Sequence, residues 1–214
     1  MAKILISLEC INQPRSVYHM NQLDLARMIA TVAHAAKGQT CADDKTPYIA
    51  HPERVYDLVR RWSYVRPNRE QLYAMQAAWL HDVVEDTEIR LTHLLSYGVK
   101  KRTVRLVDLL TKRSSDKSDG RKYYAAIKKD STALLIKAAD RCANLEEARA
   151  EVKKKRHIGR WQAYVKDTKT LVLPIYEDRP ELRAEIEKRL SALEDAIIIA
   201  RGGDPNGAFK CGAR

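Results

Sequence analysis

Much that would classify a sequence quickly is missing from this one. No apolar run approaches the ~20 residues needed to span a bilayer. The N-terminal KILISL at 3–8 is too short for a secretory core segment, and no small-residue cleavage site follows it. The chain is therefore expected in the cytoplasm. Cys10, Cys41, Cys142 and Cys211 lie far apart with no C-x-x-C, which argues against a zinc knuckle or disulfide framework and fits free thiols in a reducing compartment. A G-x-G-x-x-G, a P-loop and a G-x-S-x-G are all absent, so the usual dinucleotide, Walker and nucleophile-elbow chemistries have no anchor here. No repeat appears, and no β-pattern continues beyond the N-terminus. Acidic residues are outnumbered: 28 Asp and Glu against 39 Lys and Arg give a net charge of +11. That balance favours anionic partners, whether nucleotides, nucleic acid or an acidic surface.

What remains is a chain of 214 residues, 45% hydrophobic and 31% charged, long enough for one domain with a sizeable core. Its periodicities are helical, and the expected fold class is all-α, with about eight to ten short helices. Residues 1–21 read as an extension, 22–201 as the folded domain and 202–214 as a disordered tail. Helices are expected over 23–37, from 53 to about 61, over 72–86, 91–97, 99–110, 121–128, 131–145, 160–177 and 181–200. Residues 113–120 (RSSDKSDG) read as a surface loop and 146–157, with its KKKRH, as a solvated connection.

Two segments carry chemistry. LYAMQAAWLHDVVED at 72–86 is apolar nearly all round as far as Leu80 apart from Gln76, yet ends in His81, Asp82, Glu85 and Asp86. Carboxylates at the end of a core helix want a partner, because stripping water from a charge is costly. The bland alternative is a helix that surfaces at Asp82 and ends in a solvated acidic turn. STALLIKAADRCANL at 131–145 is apolar except for a narrow stripe of Lys137, Asp140, Arg141 and Asn144, as if facing an internal polar cleft. His51 in TPYIAHP at 46–52 stands at a helix entrance, between two prolines that limit its backbone. His51, His81, Asp82 and Asp140 make a mixed nitrogen and oxygen ligand set suited to Mn²⁺, Fe²⁺ or Zn²⁺ rather than Ca²⁺. Four protein ligands would fill a tetrahedral zinc, whereas an octahedral ion such as Mn²⁺ would keep room for water and a phosphate oxygen. Glu85 or Asp86 is placed to orient or deprotonate that water. His34 is a second candidate for the first histidine ligand.

These residues resemble the HD phosphohydrolases, and within them the (p)ppGpp hydrolase domain of RelA/SpoT proteins and the free-standing small alarmone hydrolases. TPYIAHP resembles the block around the family's first metal histidine, LHDVVEDT at 80–87 the His-Asp block with its Glu-Asp pair, and LIKAADRCANL at 135–145 the third block. The likeness runs from about residue 23 to 200. It implies a helical HD domain with Mn²⁺ held by His51, His81, Asp82 and Asp140, and Glu85 and Asp86 as the catalytic pair. It implies Asn144 as a nucleoside contact, and Arg160 and Tyr164 as phosphate contacts. Lys137 and Arg141, beside Asp140 in the third block, are candidate substrate contacts. It selects His51 as ligand and leaves His34 to packing. The implied partner is a small nucleotide carrying pyrophosphate, with neither nucleic acid nor membrane involved, and the implied reaction releases pyrophosphate from the 3′ position. The chain departs from the family after Gln39, where Thr40-Cys41-Ala42 replaces a basic pair that meets the base; Lys45 is the nearest substitute. An adenine alarmone, NADPH or another phosphorylated nucleotide are the alternatives this departure leaves; the competing readings are an HD nucleotidase or deoxynucleoside-triphosphate hydrolase, and a non-catalytic nucleotide sensor or nucleic-acid binder using the +11 charge. With no room for a synthetase domain, hydrolysis alone is expected.

Overall fold

The computed structural model describes residues 21–63, 68–113 and 120–205. The KILISL segment at 3–8, which the sequence allows as a short strand, and most of the expected tail lie outside these residues. The described residues form ten α-helices: α1 Gln22–Ala36, α2 Ala50–Trp62, α3 Arg69–Leu80, α4 Val83–Asp86, α5 Leu91–Ser96, α6 Lys101–Leu110, α7 Gly120–Lys128, α8 Ser131–Lys153, α9 Ile158–Asp167 and α10 Pro180–Ala200. A π-turn at Thr168–Val172 and a 3₁₀ turn at Leu173–Tyr176 join the last two. The all-α expectation holds, and none of these helices is long and apolar enough to cross a membrane.

Helix α3 is the centre of one half. Ala74, Ala77, Ala78 and Leu80 are all but inaccessible, and the small side chains of the three alanines let α1, α2, α6 and α8 approach it together. Its one strongly polar core residue is satisfied: Gln76 Oε1 accepts from Thr103 Oγ1 of α6 at 2.9 Å. Helix α8 is the second axis. Ala138, Ala139, Ala143 and Ala148 are fully buried along it, with α2 on one flank and α10 on another.

Three elements differ from the sequence reading. Helix α2 starts at Ala50, so His51 lies in its first turn and Pro52 is the third helical residue. A proline there loses nothing, since the first helical N–H groups have no intrahelical acceptor. Helix α8 runs on to Lys153, through residues expected to be a solvated connection. Its charges are paired, Glu146 with Arg189 at 2.6 Å, Glu147 with Arg54 at 3.1 Å and Glu151 with Arg156 at 3.2 Å. The expected helix 160–177 is broken, with α9 ending at Asp167.

Asp130 starts α8 by accepting from the amides of Thr132 and Ala133 at 3.0 and 3.1 Å. It also receives two bonds from the Arg102 guanidinium, at 2.6 and 3.1 Å. Asp130→Ala removes a cap, about 1 kcal/mol, and a partly solvated ion pair, at most about 1 kcal/mol after screening. The urea midpoint should fall by the equivalent of roughly 2 kcal/mol with no change in m-value.

Candidate metal centre

Three segments meet at one point. The N-terminal turn of α2 presents His51, the turn between α3 and α4 presents His81 and Asp82, and the middle of α8 presents Asp140. The α3–α4 turn corrects the sequence reading, which took 72–86 as one helix. Helix α3 stops at Leu80 and α4 restarts at Val83. The two faces of an unbroken helix would have pointed these neighbouring side chains about 100° apart. At the break both aim at the same place.

The donor atoms crowd together. His51 Nε2 is 3.3 Å from His81 Nε2 and 3.3 Å from Asp140 Oδ1. His81 Nε2 is 2.9 Å from Asp82 Oδ2 and 3.7 Å from Asp140 Oδ1, and His51 Nε2 is 3.6 Å from Asp82 Oδ2. Nitrogen and oxygen donors about 2.1 Å from one ion stand roughly 3.0–3.4 Å apart, whether its geometry is octahedral or tetrahedral. The observed edges bracket that spacing. Two imidazole nitrogens facing each other inside a core have no reason to do so without a shared proton or cation. His51, His81 and Asp140 are all buried and mutually within reach of one divalent ion.

The surroundings hold these donors in place. His81 Nδ1 donates to the Ala78 carbonyl at 2.9 Å, which leaves the Nε2 lone pair aimed inward. Asp140 is held from both sides, Oδ2 by Lys137 Nζ at 2.7 Å and Oδ1 by Asn144 Nδ2 at 2.6 Å. Tyr48 Oη donates to Asp82 Oδ2 at 2.6 Å, and its ring lies between the His34 and His51 rings. Tyr48 was not among the residues the sequence singled out. The signal was its place three residues ahead of His51 in TPYIAHP, where one turn carries it back to the site. Tyr48→Phe keeps the ring packing and loses the bond, so divalent-ion affinity should weaken about tenfold, as read by competition with a chromogenic chelator.

Electrostatics follow from burial and neighbours. Burial opposes charge on His81, but Asp82 and Asp140 outweigh it and push its pKa up to about 10. Burial also opposes ionisation of Asp82, yet His81 and His51 hold that carboxyl well below the usual range. Asp140 is likewise held low, with Lys137 the largest favourable influence against burial. In the metal-free protein His81 thus carries a proton on the way to the ion. Metal must displace it, so affinity should rise with pH, about tenfold per unit between pH 6 and 8.5 if one proton leaves. Calorimetry in buffers of different ionisation enthalpy measures that proton directly, and a pH-independent affinity would contradict it.

Glu85 and Asp86 lie on α4, one turn past the ligands. Glu85 Oε2 accepts from the Lys112 amide at 2.7 Å. Partial burial, followed by the charge of nearby Asp82, raises the pKa of Asp86; for Glu85 burial is again the main cause. Both carboxylates are thereby stronger bases than in water.

The remaining sequence candidates separate. Lys137 and Asn144 flank Asp140 as described. Arg141 turns away from them into protein: its guanidinium donates to Tyr124 Oη at 2.8 Å and Thr168 Oγ1 at 3.1 Å and lies 4.1 Å from the Tyr164 ring centre. The polar stripe of α8 is therefore not one surface, because α7 and the segment after α9 cover its Arg141 side. Arg160 is exposed over the Trp161 ring at 4.8 Å. Lys45 is exposed on the loop before α2. That loop is clamped to α8: the Ala42 amide donates to Glu147 Oε1 at 2.5 Å, and Arg156 donates to the Asp43 carbonyl at 3.3 Å and pairs with Asp44. Cys41 is buried within it.

No protein-family model matches the chain. Over 197 residues, 85% of the chain, it is 29% identical to the guanosine-3′,5′-bis(diphosphate) 3′-pyrophosphohydrolase of Vibrio cholerae. Over 140 residues, 60% of the chain, it is 32% identical to the probable enzyme of the same name from Synechocystis. It spans 27% of the length of the first relative and 17% of the second. Among solved structures, a metazoan ortholog of SpoT that hydrolyzes ppGpp has the same fold, with a TM-score of 0.66 at 21% identity, covering 81% of this chain and 96% of that one. The chain is thus similar in sequence to these two pyrophosphohydrolases and shares the helical fold of the SpoT ortholog.

Proposed function

We propose that the chain is a (p)ppGpp 3′-pyrophosphohydrolase that works with a divalent ion, Mn²⁺ by preference. The observation that carries this reading is the convergence of His51, His81, Asp82 and Asp140, with two carboxylates of raised pKa one helical turn beyond. When bound, the ion would supply Lewis-acid polarisation of a phosphoryl oxygen and would lower the pKa of water. The chain's own residues supply the rest. His51, His81, Asp82 and Asp140 form the ion's protein cradle, and Lys137 and Asn144 keep Asp140 ionised and oriented. Glu85 and Asp86 take the proton from the attacking water, their raised pKa bringing base strength closer to the working pH. Lys45, Arg160 and Tyr164 are proposed to contact the nucleotide. Arg141 serves that surface indirectly, by holding Tyr164 from below. Net, one water is consumed, the bond between the 3′ oxygen and phosphorus breaks, and pyrophosphate leaves a 3′-hydroxyl behind. We place the reaction in the cytoplasm, on a free nucleotide.

The base is a separate question. Thr40, Cys41 and Ala42 bring no cation to the loop before α2, and the loop's acidic residues, Asp43 and Asp44, are fixed in place there. That favours a relaxed preference for guanine, extending to an adenine alarmone or NADPH. The deciding experiment incubates the metal-loaded protein with ppGpp, its adenine counterpart, NADPH and a deoxynucleoside triphosphate, in parallel. Pyrophosphate with GDP from ppGpp is the expected result. A fully metal-loaded protein that leaves ppGpp intact would overturn the assignment.

A further inference from the structure

A second cavity, of about 790 Å³, opens between the first turns of α1 and α3, one side of α2 and the head of α6, and none of its lining residues is a proposed metal donor or substrate contact. Pockets that take small molecules measure roughly 300–1,000 Å³. Gln76 lines it and is only 2% exposed. Thr103 occupies the Gln76 amide oxygen, and Nε2 has no acceptor among the described residues, yet it is not sealed inside the protein. Gln22, at the same cavity, has a buried Oε1 without a donor. One amide thus offers a donor and the other an acceptor, and buried polar groups rarely go without partners. Tyr56 and Tyr73 add flat apolar surface. The Tyr56 ring is backed by Trp79, stacked at 5.1 Å, and Tyr73 is half-buried with no ring partner among the described residues.

The charges around the opening have a sign that local folding does not ask for. Lys100 is the N-cap of α6, followed by Lys101 and Arg102, at the end of a helix where the dipole favours an anion. No side chain caps this helix, and its first bonded amide is that of Val104, to the Lys100 carbonyl at 3.0 Å. The amides of Lys101, Arg102 and Thr103 have no acceptor among the described residues. Helices α1 and α3, by contrast, are capped by Asn21 and Asn68. Arg102 is neutralised by Glu70 and Asp130. Lys100, with Arg27 and Arg69 at the same cavity, has no carboxylate partner among the described residues. The two acids that line the cavity stand where the dipole suits them, Asp24 in the first turn of α1 and Glu53 in the first turn of α2.

We propose that this cavity is a second ligand site, for a nucleoside monophosphate. The phosphate lies at the uncapped head of α6, beside Lys100 and Arg69. The base lies against Tyr56 and Tyr73, with its polar edge on Gln76 and Gln22. Such binding involves no metal donor and is independent of the proposed hydrolysis. The test is calorimetric titration of the full chain with AMP, GMP, guanosine and inorganic phosphate. At least one of the two nucleotides should bind about tenfold or more tighter than either guanosine or phosphate. Lys100→Asp gives α6 a cap and removes the cation, so the melting temperature should hold or rise by about 2–4 °C, while nucleotide affinity falls about tenfold or more. Tyr73→Ala should weaken the nucleotide about fivefold or more and leave phosphate as it was. His51→Ala should bind the nucleotide as wild type does. Four results would each overturn the proposal: neither nucleotide binds, phosphate alone binds as tightly, Lys100→Asp keeps full affinity, or affinity is lost in His51→Ala, which would put the nucleotide at the metal centre.

Discussion

His51→Ala is expected to abolish hydrolysis and bound divalent ion together, while His34→Ala keeps the ion. His51 Nε2 lies within 3.6 Å of three of the other donor atoms, the Nε2 of His81 and the carboxylate oxygens of Asp82 and Asp140. Removing it does more than subtract one ligand. It leaves two carboxylates facing His81 alone, and the cavity formed invites water that competes for the same oxygens. Activity should fall by about 10³-fold or more, because every contribution made through a bound ion goes at once. Metal analysis of the purified variants, beside their turnover, separates this from misfolding: circular dichroism should remain helical. The reverse pattern, metal lost from His34→Ala and kept by His51→Ala, would show that the wrong histidine has been assigned.

The second large effect dissociates chemistry from metal. Glu85→Gln and Asp86→Asn keep size and hydrogen-bonding capacity but cannot accept a proton at working pH. Neither side chain belongs to the donor cluster, so metal content should stay near wild type. Turnover should drop by about 10²- to 10⁴-fold, the usual range for losing a positioned base. The pH profile of the wild-type protein offers an independent check. A base must be ionised, and burial has raised the pKa of both carboxyls, so activity should rise with pH along an acid limb lying above the ordinary carboxylate range. Lowering the pH through that limb protonates the base and removes activity. A variant that lost metal as well as turnover would recast these two carboxylates as supports of the ion.

The candidate site residues stand out in the sequence more plainly than their setting does. His81, Asp82, Glu85 and Asp86 stand out because charges end a segment otherwise fit only for the interior. The break between α3 and α4 left no such mark. His81 and Asp82 both keep right-handed helical torsions, with φ of −58° and −99°, and neither glycine nor proline signals the turn. The far half of α8 was hidden for the opposite reason. Glu146, Glu147 and Glu151 look like solvated charge until their partners Arg189, Arg54 and Arg156 are seen, and those come from distant parts of the chain. Arg141 misled by its spacing. It shares a helical stripe with Lys137 and Asn144, but whether a stripe meets solvent or another helix is decided by Tyr124 and Thr168, which no local pattern reveals.

The interrupted helix also bears on which ions the site will accept. His81 and Asp82 are neighbours on one short turn, so they advance or retreat as a unit. His51 and Asp140 ride on different helices, and the gap between them is the gap between α2 and α8. That pair works like the jaws of a caliper, with the turn as its fixed stop. For the proposed ion, a larger or smaller cation would be accommodated by spreading or closing α2 and α8 against their mutual contact, so ionic radius would be read by the core itself.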